Sequence, residues 1–267
     1  MKIITFSAIK GGVGKTTLAY NYGEWLAKRG HRVLFIDLDH QCNLTQTYNV
    51  FESEGTVADI FTRKGNVVIH QVKENIDLIA GYIRLDKLEK ELETKSYKDM
   101  LLYMWFEDNY ESKNLEKYDY VLIDSHPDFS TATRNAVIVS HIVLSPVIPG
   151  EHGYQAQFNL EERLEELKLE TFDFKTRESY VTAQLLVIGN MVKHNTKSSR
   201  ELLVSLSNQD NVVAILPEKE LFNRSTLDKI SLSDMAEDKL IIQAHKKFFQ
   251  KIDFTFQQIT DTISIYL

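Results

Sequence analysis

Ile9-Lys10-Gly11-Gly12-Val13-Gly14-Lys15-Thr16-Thr17 joins a short β-branched run, Ile3-Ile4-Thr5-Phe6-Ser7, to a segment from Thr16 to Arg29 with Leu18, Tyr22, Trp25 and Leu26 at helical spacing. Gly30 follows as a helix C-cap. A strand that turns through glycines into a helix is a phosphate-binding arrangement. The glycines let backbone N–H groups point inward, and the helix N-terminus adds partial positive charge. In such a loop Lys15 reaches the β- and γ-phosphates of a nucleotide and the Thr16 hydroxyl binds Mg²⁺. The strict pattern G-x-x-x-x-G-K-[ST] is not met, because Ile9 stands where the first glycine belongs and a second lysine, Lys10, precedes a Gly-Gly pair.

The same alternation of strand and helix extends along the chain. Val33-Leu34-Phe35-Ile36 and Val121-Leu122-Ile123 are apolar runs that end at Asp37 and Asp124. Further runs are Ile142 to Val147, Gln184 to Ile188, and Val212 to Leu216, the last stopping at Pro217. Near-continuous apolar strands suit a parallel sheet buried on both faces. Residues 154–170 place Leu160, Leu164 and Leu167 on one helical face with glutamates opposite. The expectation is an α/β fold: a doubly wound, mostly parallel sheet with helices on both faces, as one domain over residues 1–267. Residues 82–117 are the least legible, charged helix-like sequence interrupted by Tyr103, Trp105 and Phe106.

Bulk properties narrow the function classes. The 267 residues are 43% hydrophobic and 26% charged, which excludes disordered and fibrous chains. A single cysteine, Cys42, excludes an intrachain disulfide framework or a multi-cysteine metal centre and points to a reducing cytoplasm. No run approaches the roughly 20 apolar residues of a membrane span. Net charge is −7, yet residues 180–267 carry ten basic and ten acidic residues, so the negative surplus lies upstream and a local basic face is open to the last third.

Lys10 to Thr17 closely resembles the deviant P-loop of the ParA/MinD ATPase family, which also includes the nitrogenase iron protein. The resemblance extends over most of the chain. It implies ATP and Mg²⁺ as ligands, residues Lys10, Gly11, Gly12, Val13, Gly14, Lys15, Thr16 and Thr17 around the phosphates, and a homodimer in which Lys10 touches nucleotide bound by the other subunit. Phe35-Ile36-Asp37-Leu38-Asp39-His40-Gln41 resembles the family's Asp-x-Asp-Pro-Gln segment, with His40 in place of the proline. Asp37 and Asp39 lie two apart in extended chain and share a side. The family assigns Asp37 to the outer shell of Mg²⁺ and Asp39 to orienting the attacking water, a task suited to a carboxylate. Tyr120 to Asp124 resembles a Walker B strand, which makes Asp124 a metal residue held through water. The family's Pro-Pro pair after it is reduced here to Ser125-His126-Pro127, with His126 expected as a surface loop residue. Asn190, Met191 and Pro217 are the candidates beside adenine, and the absence of an Asn-Lys-x-Asp motif there favours ATP over GTP.

Within the family the expected member is a ParA-type partition ATPase: an ATP-bound dimer that binds DNA without sequence preference, whose hydrolysis a centromere-binding ParB-like partner stimulates. Such a protein is cytoplasmic and nucleoid-associated. Lys193, Lys197, Arg200, Lys219, Arg224 and Lys229 are the candidate phosphate contacts. The chain begins at its first strand, so no N-terminal helix-turn-helix is expected. The alternative is a MinD-like membrane switch, which requires an amphipathic C-terminal anchor; His245 to Ile252, continuing to Ile263, Ile265 and Leu267, is the candidate segment. A nitrogenase-like redox role lacks its cysteines, and a tyrosine-kinase relative lacks a tyrosine-rich tail and a membrane span.

Overall fold

A computed structural model of the chain describes residues 1–266, with the side chains of all of these except residues 151–156. Its framework is an eight-stranded sheet. The strands are β1 (Lys2–Phe6), β2 (Val33–Leu38), β3 (Ile69–Lys73), β4 (Ile76–Ile79), β5 (Tyr120–Ser125), β6 (Ile142–Val147), β7 (Gln184–Val192) and β8 (Val212–Pro217). They lie in the order β3-β4-β2-β5-β1-β6-β7-β8. Every pairing is parallel except β3 with β4, a hairpin that closes one edge. The six strands expected from sequence are all present. The β3–β4 hairpin adds two more, turning at Asn75 in the left-handed region with φ 61°.

Alternation along each central strand distributes its residues between two apolar layers. Phe35 and Leu122 face one layer with Leu18, Tyr22, Trp25 and Leu26 of helix α1 (Lys15–Lys28). Leu34, Ile36, Val121 and Ile123 face the other, which holds residues of α3 (Val57–Thr62), α4 (Leu85–Leu92), α5 (Leu101–Asn109) and α6 (Thr131–Val139); the short α2 (Asn43–Thr47) precedes them. The aromatic group of residues 82–117 is thereby explained. Trp105 and Phe106 sit on α5 in this second layer, and Tyr103 meets Tyr180 edge-on at 5.7 Å. Leu160, Leu164 and Leu167 of α7 (Glu151–Glu170) are buried, as their spacing predicts. Helices α8 (Lys197–Leu206), α9 (Glu220–Leu227) and α10 (Leu232–Met235) follow.

The last helix, α11 (Lys239–Ile265), leaves helical geometry at His245 and packs back on the molecule. Phe249, Ile252, Phe256, Ile259 and Ile263 join the layer of α1, with Phe256 edge-on to Tyr22 and Trp25. The apolar stripe expected of an anchor is therefore spent on the core, although Ile265 is exposed; Leu267 lies outside the described residues. No helix among the described residues is long and apolar enough to cross a membrane.

Strand β1 sits where the winding reverses. The chain runs from it out to β2 and β4 on one side, returns through β5, and then builds β6, β7 and β8 on the other. In doubly wound sheets, ligands bind outside the carboxyl ends of the strands at such a point. The loops after β1, β2 and β5 meet there.

Candidate active site

The glycine turn after β1 opens into a cavity of about 610 Å³. Gly11 to Thr17 line it together with Asp39, Gln41, Asn43, Gln46, Thr47, Phe51, His126, Pro127, Thr226, Leu227 and Lys229. Gly14 holds the N-cap of α1 at φ 87°, a conformation that a side chain strains; a Cβ there would also lie 2.7 Å from Asn190 Nδ2. No side chain caps α1 and its first turn carries no acid, so its leading N–H groups are left for an anion.

The charges around this turn are unbalanced. Lys15 is 6% exposed, and among the described residues it makes no hydrogen bond or ion pair. Burial lowers its pKa, while Asp124, Asp39 and Asp128 pull the other way. Asp124 is fully buried, and neither carboxylate oxygen has a hydrogen-bond partner. Burial, reinforced by Asp37, holds its pKa well above the carboxylate range, although the Thr16 hydroxyl lies close enough to favour the ionised form. Asp37 is pushed up to about 6 by burial, against bonds from the Thr45 side chain, the Thr45 amide and the Asp39 amide. Those bonds are 2.6, 2.9 and 3.1 Å long. The Thr45 hydroxyl in turn accepts from the Gly81 amide at 2.8 Å.

Three buried carboxylates thus face one buried ammonium, and an unpaired buried charge is costly. This donor set fits Mg²⁺, a hard cation bound through one or two carboxylates and water. Thr16, Asp37 and Asp124 are the residues that would hold it. Asp39 lines the cavity with Oδ1 fixed by the Gln41 amide at 2.8 Å. Lys10 is half-buried, is not among the lining residues, and makes no hydrogen bond or ion pair among the described residues.

Asn190, Met191 and Pro217 come together in a small hollow of about 50 Å³, shared with Gly14, Thr17 and Phe222. The Asn190 amide donates to the Val13 carbonyl at 2.8 Å, so its side chain braces the glycine turn. Among the basic candidates, Lys193 pairs with Glu218 at 3.2 Å, Lys197 with Glu201 at 3.6 Å and Arg224 with Asp228 at 3.0 Å. Arg200 and Lys219 make no ion pair among the described residues. Lys229 lies at the cavity wall, over the Phe51 ring.

Sequence reasoning missed the wall from Gln41 to Phe51 and the Thr226–Leu227 segment. Their signal was only proximity to Asp39 and to α9. His126, expected as a surface loop residue, is in a loop but lines the cavity and stacks on His40 with ring centroids 4.2 Å apart.

Comparison with known proteins agrees with this geometry. A family model described as an AAA domain (AAA_31) matches residues 1–175. The sporulation initiation inhibitor protein Soj of Bacillus subtilis is 35% identical over 174 residues, 63% of this chain and 65% of that protein. A probable plasmid-partitioning protein ParA of Thermus thermophilus is 31% identical over 185 residues, 67% of this chain and 56% of that protein. The chain therefore spans between about half and two thirds of these relatives. Among solved structures, a protein from Borrelia burgdorferi described as a plasmid partition protein, bound to AMPPNP, superposes with a TM-score of 0.74 at 22% identity, covering 96% of this chain and 98% of that one. An ATP complex of McdA from Cyanothece gives a TM-score of 0.79 at 20% identity, covering 97% and 96%. These structures share the fold. With its deviant glycine turn, its two strand-end carboxylates and a matching family model over most of its length, the chain belongs to the ParA/MinD family of P-loop ATPases.

Proposed function

We propose that this chain is a ParA-type partition ATPase that binds ATP with Mg²⁺, closes into a homodimer, binds DNA without sequence preference and hydrolyses ATP in response to a ParB-like partner. The observation that carries this reading is a pair of buried ionisable groups at an uncapped helix N-terminus: the Lys15 ammonium, which makes no hydrogen bond or ion pair among the described residues, and the Asp124 carboxyl, whose oxygens lack hydrogen-bond partners. In this reading the leading N–H groups of α1 bind phosphate oxygens and Lys15 offsets charge on the β- and γ-phosphates. Asp39 orients the attacking water through the oxygen not fixed by Gln41. Bound Mg²⁺ supplies charge neutralisation on the phosphate oxygens. Lys10, unengaged in its own subunit, reaches the phosphates of the second. Met191 and Pro217 border the adenine, with Asn190 bracing the turn behind it.

DNA binding is supported by where the basic residues lie. Lys193 and Lys219 follow the carboxyl ends of β7 and β8, on the cavity's side of the sheet, and Lys197, Arg200 and Arg224 lie on the adjoining helices. The three that pair do so with exposed acids, and such pairs contribute roughly 0–1 kcal/mol, so phosphates can displace them. Nucleoid association in the cytoplasm follows from DNA binding.

Filter binding to random-sequence duplex across a salt series tests the reading. Retention with ATP, none with ADP or without nucleotide, and a steep fall with salt are expected. ATP-dependent sedimentation with liposomes and no retention of DNA would instead select a MinD-like membrane switch.

A further inference from the structure

We propose that Asp39, His40 and His126 form a binding site for a late transition-metal dication of the Zn²⁺ type, distinct from the Mg²⁺ position. One ligand atom from each of the three lies within 4.8 Å of the other two. The sheet register brings them together: Asp37 pairs with Asp124 and Leu38 with Ser125, so the chain leaves β2 and β5 side by side and the next residues of each face one another. The two imidazole rings lie 4.2 Å apart and 34° from parallel. Both stand where the resemblance to the ParA/MinD family calls for proline, so the two departures from that pattern meet at one place.

The chemistry of the set selects the ion. Two imidazoles and a carboxylate suit Zn²⁺, Co²⁺ or Ni²⁺, whereas Mg²⁺ takes oxygen ligands. Three protein ligands with one position open is a common Zn²⁺ arrangement, with donors about 3.4 Å apart for metal–ligand bonds of about 2.0–2.2 Å. Side-chain rotation of the two half-buried histidines closes the remaining distance. A second shell is already built. His126 Nδ1 lies 3.0 Å from Asp128 Oδ2, and Asp128 Oδ1 accepts from the Ser130 amide at 3.1 Å. With Nδ1 engaged, Nε2 is the nitrogen left for a metal, the usual carboxylate–histidine–metal relay. Asp39 likewise has one oxygen held by the Gln41 amide and one left over. A metal bound there ties the loop after β2 to the loop after β5 and takes up the Asp39 carboxylate. It therefore brakes hydrolysis, a consequence that rests on the proposed role of Asp39.

Titration of the nucleotide-free protein with Zn²⁺ in excess Mg²⁺, against a chromophoric chelator, tests the site. Co²⁺ absorption in the visible range reports ligand geometry. The expected result is one Zn²⁺ per chain in wild type and affinity at least about 10-fold weaker in His40→Gln and in His126→Gln, with a smaller loss in Asp128→Asn. Thermal melting confirms that each variant is folded, and alanine at the same position replaces any that is not. Absence of one-to-one binding tighter than about 100 µM, or equal binding by wild type and both histidine variants, overturns the site. ATPase rates with and without Zn²⁺ separate the two ideas. Zn²⁺ that binds through the histidines yet leaves hydrolysis unchanged removes the brake and the water-positioning role of Asp39, while the metal site stands.

Discussion

Replacing Asp124 by Asn is expected to make the nucleotide-free protein more stable while it disables the site. Asp124 is fully buried, neither of its oxygens is hydrogen-bonded, and its neighbour across the sheet is the equally buried Asp37. Keeping it ionised costs desolvation and repulsion from Asp37 and Asp39, against the attraction of Lys15. Asn keeps the shape and removes the charge. An unpaired buried polar group costs about 1–3 kcal/mol and a charged one more; Asn keeps the first cost and removes the extra cost of the charge, for a gain of about 1–3 kcal/mol. For a chain of this size that is roughly 2–10 °C in Tm. Lys15 loses one neighbour but retains Asp39 and Asp128, which limits the opposing effect. Differential scanning fluorimetry without nucleotide, then with ATP and Mg²⁺, reads both sides. The variant should melt higher than wild type alone and lose the Mg²⁺-dependent part of the shift that ATP produces. A lower melting temperature with an undiminished Mg²⁺–ATP shift would refute the claim that Asp124 is strained in order to meet a cation.

Three other outcomes follow from the same geometry. Asp39→Ala should bind ATP as wild type does and lose at least about 100-fold in hydrolysis, measured by phosphate release; wild-type turnover would remove the carboxylate from the mechanism. Gly23→Ala puts a Cβ 2.1 Å from Phe35 Cζ and 3.0 Å from Leu122 Cδ1, both fully buried. Overpacking of about 1–3 kcal/mol or more should exceed the roughly 1 kcal/mol gained in helix propensity, so thermal melting should show a net loss, and a higher Tm would mean that α1 sits farther from the sheet. Arg200→Ala combined with Lys219→Ala should weaken ATP-dependent DNA binding and reduce the slope of log affinity against log salt by about 1 for each DNA phosphate no longer neutralised; an unchanged slope would move the DNA face elsewhere.

What the sequence disclosed follows a physical division. Strands buried on both faces carry continuous apolar runs, such as residues 33–36 of β2, and were legible, as were the aspartates that follow those runs. Strand β3 was not, because Ile69–Lys73 is a half-exposed edge strand with an irregular register, and its only sharp marker is Asn75 in the turn. Residues 82–117 hid their role because Trp105 and Phe106 join the core from a short helix, α5, which follows the charged α4 and ends at Glu107, Asp108 and Asn109. At the site, the glycine turn was readable because its backbone demands glycine, and the three aspartates because they end apolar strands in segments that resemble those of the ParA/MinD family. The brace from Asn190 to Val13 and the contact of His40 with His126 were not, since each joins residues far apart in the chain through strand register alone.

In the proposed function, nucleotide-dependent pairing of subunits rests on two lysines beside one glycine turn, with Lys15 serving its own subunit and Lys10 the other. Sedimentation equilibrium of wild type and Lys10→Ala with AMPPNP and Mg²⁺ tests this directly. Wild type should form a dimer, while Lys10→Ala should bind the nucleotide and remain a monomer. Equal dimerisation of the two proteins would contradict the contact across the interface.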